Sequence, residues 1–218
     1  MHTHVEGVSR ADAHYLRVKG DLLAGRFEPG TVLLETSLGK LYGVSRTPMR
    51  EALARLAHDR LIERSGRGFV VRQRSAEEIH AIYEARIPLE ARAAALAAER
   101  RGIIDVERLD HLLALRREES DVARYPDLNG NFHLALRAAA HSDVIATTLA
   151  QLDDMLIDYS PPDRSTPTVL GRGLAEHEDI MAAIRAHDPA AASTAMTAHL
   201  ERMRDLRIAT QVRRSASG

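Results

Sequence analysis

The stretch Val44–Leu53, VSRTPMREAL, follows Gly43 directly and opens an apolar stripe, Met49, Leu53 and Leu56, at the i, i+4, i+7 spacing of a helix. Pro48 suits the first turn, where no amide hydrogen is missed, and Ser45 or Thr47 can cap it. Arg46 and Arg50 then add positive charge to an end that the helix dipole already makes positive. An external anion resolves that conflict. On this reading Arg46, Thr47 and Arg50 project from a recognition helix toward base edges and phosphates in a DNA major groove, where an arginine fork matches a guanine edge or a phosphate. The competing reading is a solvated amphipathic helix with ordinary surface arginines.

The flanking sequence favours DNA. Upstream, residues 11–24 place Leu16, Val18, Leu22 and Leu23 on one rough helical face that ends at Gly25, and EPG (Glu28–Gly30) supplies a turn. A short helix is predicted over 36–41 and a longer one over 47–59. Downstream, LIERSGRGFVVR (Leu61–Arg72) reads as a small hairpin with Arg67 at its tip. Helix, glycine turn, helix is the outline of a helix-turn-helix. Residues 1–74 carry 13 basic and 8 acidic side chains, a balance of +5, whereas 75–218 carry 17 and 23, a balance of −6. The first third can face a polyanion and the rest cannot, so the chain divides into two jobs.

With 218 residues, 44% of them hydrophobic, the chain can bury a substantial core. The absence of cysteine excludes disulfides, thiolate metal sites and cysteine nucleophiles. No apolar run approaches the roughly 18 residues needed to span a bilayer, and the opening MHTHVEGVSR lacks the apolar stretch of a signal peptide, so no membrane role and a cytoplasmic location are expected.

Ser75 with Glu78 three residues on has capping-box spacing and marks the start of a new domain. Beyond it, six helices are predicted over 76–99, 104–124, 126–139, 142–159, 168–186 and 189–208. The fold expected is mostly α: three helices and a small β-hairpin, then an all-α six-helix bundle. The expected organisation is a tail at 1–10, a first domain at 11–73, a linker at 74–77, a helical domain at 78–208 and a tail at 209–218.

Of eleven histidines, His2, His4, His14, His58, His80, His111, His141 and His187 fall in tails, loops or solvated faces. His133 shares a stripe with Asn129, Phe132 and Leu136; His177 with Leu170, Leu174, Met181 and Ile184; His199 with Ala192, Ala195, Met203 and Leu206. Three histidines pointing inward are either satisfied core residues or ligands of one metal, since neutral imidazoles bind Zn²⁺ and its neighbours and bundle cores hold such sites. Asn129, one turn before His133, can add an oxygen. In YEARIPLEARAAALAA, Arg86 and Glu90 share one face of the domain's first helix, and their spacing by itself reads as a solvent-facing i, i+4 ion pair.

The segment YLRVKGDLLAGRFEPGTVLLETSLGKLYGVSRTPMREALARLAHDRLIERSGRGFVV resembles the winged helix-turn-helix of the GntR family of bacterial transcription regulators. The helical remainder resembles the ligand-binding FCD domain of its FadR-type subgroup, in the shorter, VanR-like six-helix form. This resemblance implies DNA contacts by Arg46, Thr47 and Arg50, with Ser45 near phosphate and Gly66 and Arg67 of the wing in the minor groove. NGNFHLAL, EHEDIMAAI and MTAHL resemble the three ligand-bearing segments of the domain, which implies one divalent metal per chain held by Asn129, His133, His177 and His199: zinc first, with nickel, manganese or iron as alternatives. The family pattern of an arginine followed by a glutamate implies that Arg86 faces the cavity, where it would bind a small carboxylate effector. Gly39 and Lys40 stand where an alanine is common, and Asp59-Arg60 replaces the usual Glu-Gly before Leu61.

The function expected is a metabolite-responsive repressor that binds a palindromic double-stranded DNA operator as a homodimer. The alternatives are a regulator that senses the metal itself, or a three-histidine metal-dependent enzyme. No carboxylate is obviously placed as a general base and an enzyme has no use for the N-terminal motif, so the expectation is that the chain is not an enzyme.

Overall fold

The computed structural model describes residues 10–66, 68–156 and 167–216. The described residues divide into two compact units, 10–74 with 154–156 and 75–153 with 167–216.

The first unit runs α1 (Arg10–Leu23), β1 (Val32–Leu33), α2 (Glu35–Tyr42), α3 (Arg46–His58), β2 (Ile62–Ser65) and β3 (Gly68–Val71). The strands form an antiparallel sheet in the order β1-β3-β2, with Val32 opposite Val70 and Glu63 also opposite Val70 on the other side. The hairpin is therefore joined by a third strand that sequence patterning does not reveal, because two residues are too few to show a period of two. Its core gathers Val18 and Leu22 of α1, Leu38 and Tyr42 of α2, Met49, Leu53 and Leu56 of α3, and Phe69 and Val71 of β3. Leu16 and Leu23 are exceptions to the expected apolar face of α1: they are 55% and 44% exposed, and Tyr15 takes the inward position instead. Tyr15 can do so because its hydroxyl donates to Asp59 at 2.5 Å while its ring lies under the Arg55 guanidinium.

Two backbone features explain where this sequence departs from the family pattern. Gly43 closes α2 in the left-handed conformation (φ 70°), and the Val44 amide donates to the Gly39 carbonyl at 2.9 Å. A Cβ on Gly39 would lie 2.8 Å from the Val44 carbonyl oxygen, so this turn requires glycine there. At the end of α3 the Leu61 amide reaches Leu56 and the Arg60 amide reaches Ala57, a Schellman closure that puts Arg60 at φ 59°. Arginine thus occupies a left-handed position where glycine is unstrained.

The second unit runs α4 (Ala76–Arg100), α5 (Ile103–Glu118), a 3₁₀ turn (Val122–Arg124), α6 (Tyr125–Ala139), α7 (Asp143–Met155), α8 (Pro167–Arg185) and α9 (Pro189–Ser215). Ser75 and Glu78 form the reciprocal capping box at the start of α4. The small side chains of Ala93–Ala98 are buried on all sides, which lets α4 pack along α9 and also meet α6 and α8. Two boundaries differ from expectation. Helix α5 stops at Glu118 rather than 124, because Asp121 caps the 3₁₀ turn by accepting from the Ala123 amide. Helix α9 continues to Ser215, so residues 209–215 are helix and not tail; Thr210 and Gln211 are buried there, and burial supplies what local sequence does not. The predicted end of α7 at 159 falls beyond Met155, and residues 157–166 lie outside the described residues. Among the described residues no helix is long and apolar enough to cross a membrane.

Candidate nucleic-acid interface and metal centre

Helix α3 begins at Arg46 after Ser45, whose extended backbone marks the N-cap but whose hydroxyl makes no capping bond. Its first turn contains no acidic residue. Ser45, Arg46, Thr47 and Arg50 are all exposed, while Met49 and Leu53 on the opposite side are buried. Among the described residues, neither Arg46 nor Arg50 has a carboxylate partner, unlike Arg26 and Arg55 of the same unit, which pair with Asp21 and Asp12. Gly66 is exposed at the hairpin turn, and Arg67 lies outside the described residues.

In the helical unit, His133 comes from α6, His177 from α8 and His199 from α9, and one ring nitrogen of each lies within 4.8 Å of the others. The rings are 4.7–5.3 Å apart between centroids, and Phe132 stacks on His177 at 4.4 Å. Burial, reinforced by the neighbouring imidazoles, pushes the pKa of His133 and His177 well below the usual range for histidine, so both are neutral and carry a free lone pair. His133 Nδ1, His177 Nε2 and Asn129 Oδ1 are buried without a hydrogen-bond partner. Orphaned acceptors of this kind are costly in a dry core, and a metal ion would satisfy them. The three imidazoles are a donor set that fits a divalent ion of the zinc type, and Asn129 stands one turn before His133 on α6. The side chain of Leu170, assigned to the His177 stripe, lies outside the described residues.

Sequence reasoning missed Glu176. Its Oε2 lies 2.8 Å from His199 Nδ1, and its Oε1 accepts from Arg202 Nε at 2.5 Å and Arg172 Nε at 3.2 Å. Burial raises the Glu176 carboxyl, but bonds from His199 and Arg202 outweigh it and bring the pKa down to about 2. An ionised carboxylate only accepts, so His199 carries its proton on Nδ1 and turns Nε2 to the cluster. Glu176 precedes His177 and lies off the histidine stripe, so periodicity gives it no signal.

The solvent-facing alternative for Arg86 and Glu90 is overturned. Arg86 is 9% exposed and Glu90 is fully buried. Arg86 Nη2 donates to Glu90 Oε1 at 3.1 Å, and Arg137 holds both Glu90 oxygens, through Nη2 at 2.5 Å and Nε at 3.3 Å. Asp153 joins from α7, accepting from Arg137 Nη1 at 2.5 Å and lying 3.1 Å from Arg86 Nη2. Glu90 Oε1 is 3.9 Å from His133 Nδ1, so this ionic cluster adjoins the histidines. Arg137 stands one turn after His133 on the same stripe, the one signal that could have disclosed it.

The family model described as the FCD domain matches residues 81–202, and that described as bacterial regulatory proteins, gntR family, matches residues 11–71. The chain is 31% identical over 202 residues to the HTH-type transcriptional repressor GlaR of Escherichia coli, covering 85% of this chain and 90% of that one. It is 29% identical over 205 residues to the HTH-type transcriptional regulator LutR of Bacillus subtilis, covering 84% and 94%. E. coli McbR/YncC shares the fold with a TM-score of 0.79 at 24% identity, over 96% of this chain and all of that one. A putative GntR regulator from Rhodococcus sp. RHA1 superposes with a TM-score of 0.74 at 25% identity, over 92% and 97%. GlaR, LutR and the Rhodococcus protein are transcription regulators by name.

Proposed function

The chain belongs to the gntR family of bacterial regulatory proteins, in the branch that carries an FCD domain, and on that premise we propose that it is a metabolite-responsive repressor. It reads a palindromic operator as a homodimer in the cytoplasm, because a two-fold protein matches a two-fold site. Arg46, Thr47 and Arg50 enter the major groove, Ser45 meets phosphate, and Gly66 and Arg67 of the wing reach the minor groove. The observation that carries this reading is the pair Arg46 and Arg50, exposed without carboxylate partners at a helix start that repels positive charge.

In the helical domain, Asn129, His133, His177 and His199 would hold one divalent ion, zinc by preference. When bound, the ion supplies a Lewis-acidic position for an oxygen of a small carboxylate effector. Arg86 orients the carboxylate by charge and hydrogen bonding. Glu176 holds His199 in the ligating tautomer, and burial keeps His133 and His177 unprotonated. The effector acts by linkage: it binds one state of the protein better than another and shifts DNA affinity by that difference.

Elemental mass spectrometry on gently purified protein tests the site, beside a variant carrying His133→Ala, His177→Ala and His199→Ala. About one ion per chain, lost in the variant, is expected. Protein devoid of metal in both samples would return the histidines to a structural role and leave the DNA-binding half standing.

A further inference from the structure

Two guanidiniums and two carboxylates meet beside the histidines, and they are not equivalent. Arg86 Nη2 donates to Glu90 Oε1 and forms an ion pair with Asp153 Oδ1, each contact 3.1 Å long. Arg86 Nε, which forms a fork with Nη2, is buried without a partner. A carboxylate that engages Arg86 through this fork meets both residents at Nη2 and must displace one of them. Arg137 binds both oxygens of each carboxylate, so exposure separates them: Glu90 is fully buried, cannot reach water and cannot yield. Asp153 can, since its side chain is 37% exposed and is hydrated as soon as it swings out. The exchange replaces one carboxylate with another and leaves the charge of the cluster unchanged.

Asp153 is the last residue of α7 within the second unit, and its ion pairs to Arg86 and Arg137 join that helix to α4 and α6.

We propose that Asp153 is a built-in competitor, a resident carboxylate that the effector's carboxylate displaces from Arg86. This rests on the reading of Arg86 as the carboxylate-binding residue, and the ligand class is a small mono- or dicarboxylic acid. It makes the Asp153 carboxylate the group that occupancy of the site moves.

The test uses full-length protein, with sodium acetate and sodium succinate as probes. Asp153→Asn keeps the shape and removes the competing charge, and Asp153→Ala opens the place altogether. Both variants should bind at least one probe about tenfold more tightly than the unaltered protein by calorimetric titration, the factor for a site whose competitor occupies it nine-tenths of the time. Adding Arg86→Gln should abolish the gain. Equal affinity in the unaltered protein and Asp153→Asn would overturn the displacement and leave the carboxylate reading intact. No binding of either probe to any of the three proteins would overturn both.

Discussion

His199 Nδ1 lies 2.8 Å from Glu176 Oε2, and the same carboxylate is gripped by Arg202 from the next turn of α9. With a neutral amide, Asn129, as the prospective oxygen donor, the four prospective ligands carry no formal charge. Glu176 is the carboxylate hydrogen-bonded to one of them, which places the negative charge one bond outside the donor set. Glu176→Gln keeps an acceptor but removes the charge and the tautomer preference. It should weaken metal binding about 10–100-fold, measured by chelator competition, with Asp restoring part of the loss. Unchanged affinity would reduce Glu176 to a staple between α8 and α9.

Arg46 is exposed at the first position of α3 and has no carboxylate partner among the described residues. Arg46→Ala should cost about 1–3 kcal/mol of specific operator binding at fixed salt and leave thermal stability unaltered. The comparison with random DNA matters, since a phosphate contact alone would weaken both to the same degree.

Arg60 holds φ 59° at the end of α3. Relief of a left-handed backbone is worth about 1–2 kcal/mol, and glycine's greater freedom in the unfolded chain offsets part of it. Arg60→Gly should therefore raise stability by up to about 1 kcal/mol in urea unfolding. Loss of stability would mean that the arginine side chain contributes more than the strain costs.

Asp21 accepts from the Tyr42 hydroxyl at 2.6 Å and from Arg26 at 2.9 Å, and these bonds, Tyr42 first, lower its pKa. A carboxyl whose pKa is lower when folded contributes stability above its unfolded value, near pH 4, and loses it as pH falls through the folded value. Asp21→Asn should flatten the acid limb of the stability profile below about pH 4. An unchanged limb would place the acid sensitivity elsewhere, with Asp105 the next group to test. Burial raises its pKa, but the Gly102 amide and His141 more than offset it, so Asp105 too is held down.

What the sequence determined by itself is whatever repeats within one helix or one turn. VSRTPMREAL carries its cap, proline, basic start and apolar face within ten residues, and each of His133, His177 and His199 declares its inward position by the spacing of its own neighbours. The alternation of helices and breakers is equally local, and so the six-helix order of the second unit was legible. The tertiary structure alone decided which stripes meet. Glu90, Arg137 and Asp153 come from α4, α6 and α7, and a charge on one helix does not show which charge on another will neutralise it. Glu176 reaches His199 across 23 positions although it stands off the histidine stripe. Strand β1 exists because β3 offers it an edge, and the last turns of α9 persist where Thr210 and Gln211 are buried. Periodicity reports which side of an element is dry, whereas the identity of the partner is a property of the packed fold, where the cost of leaving a buried charge or an unpaired edge alone selects it.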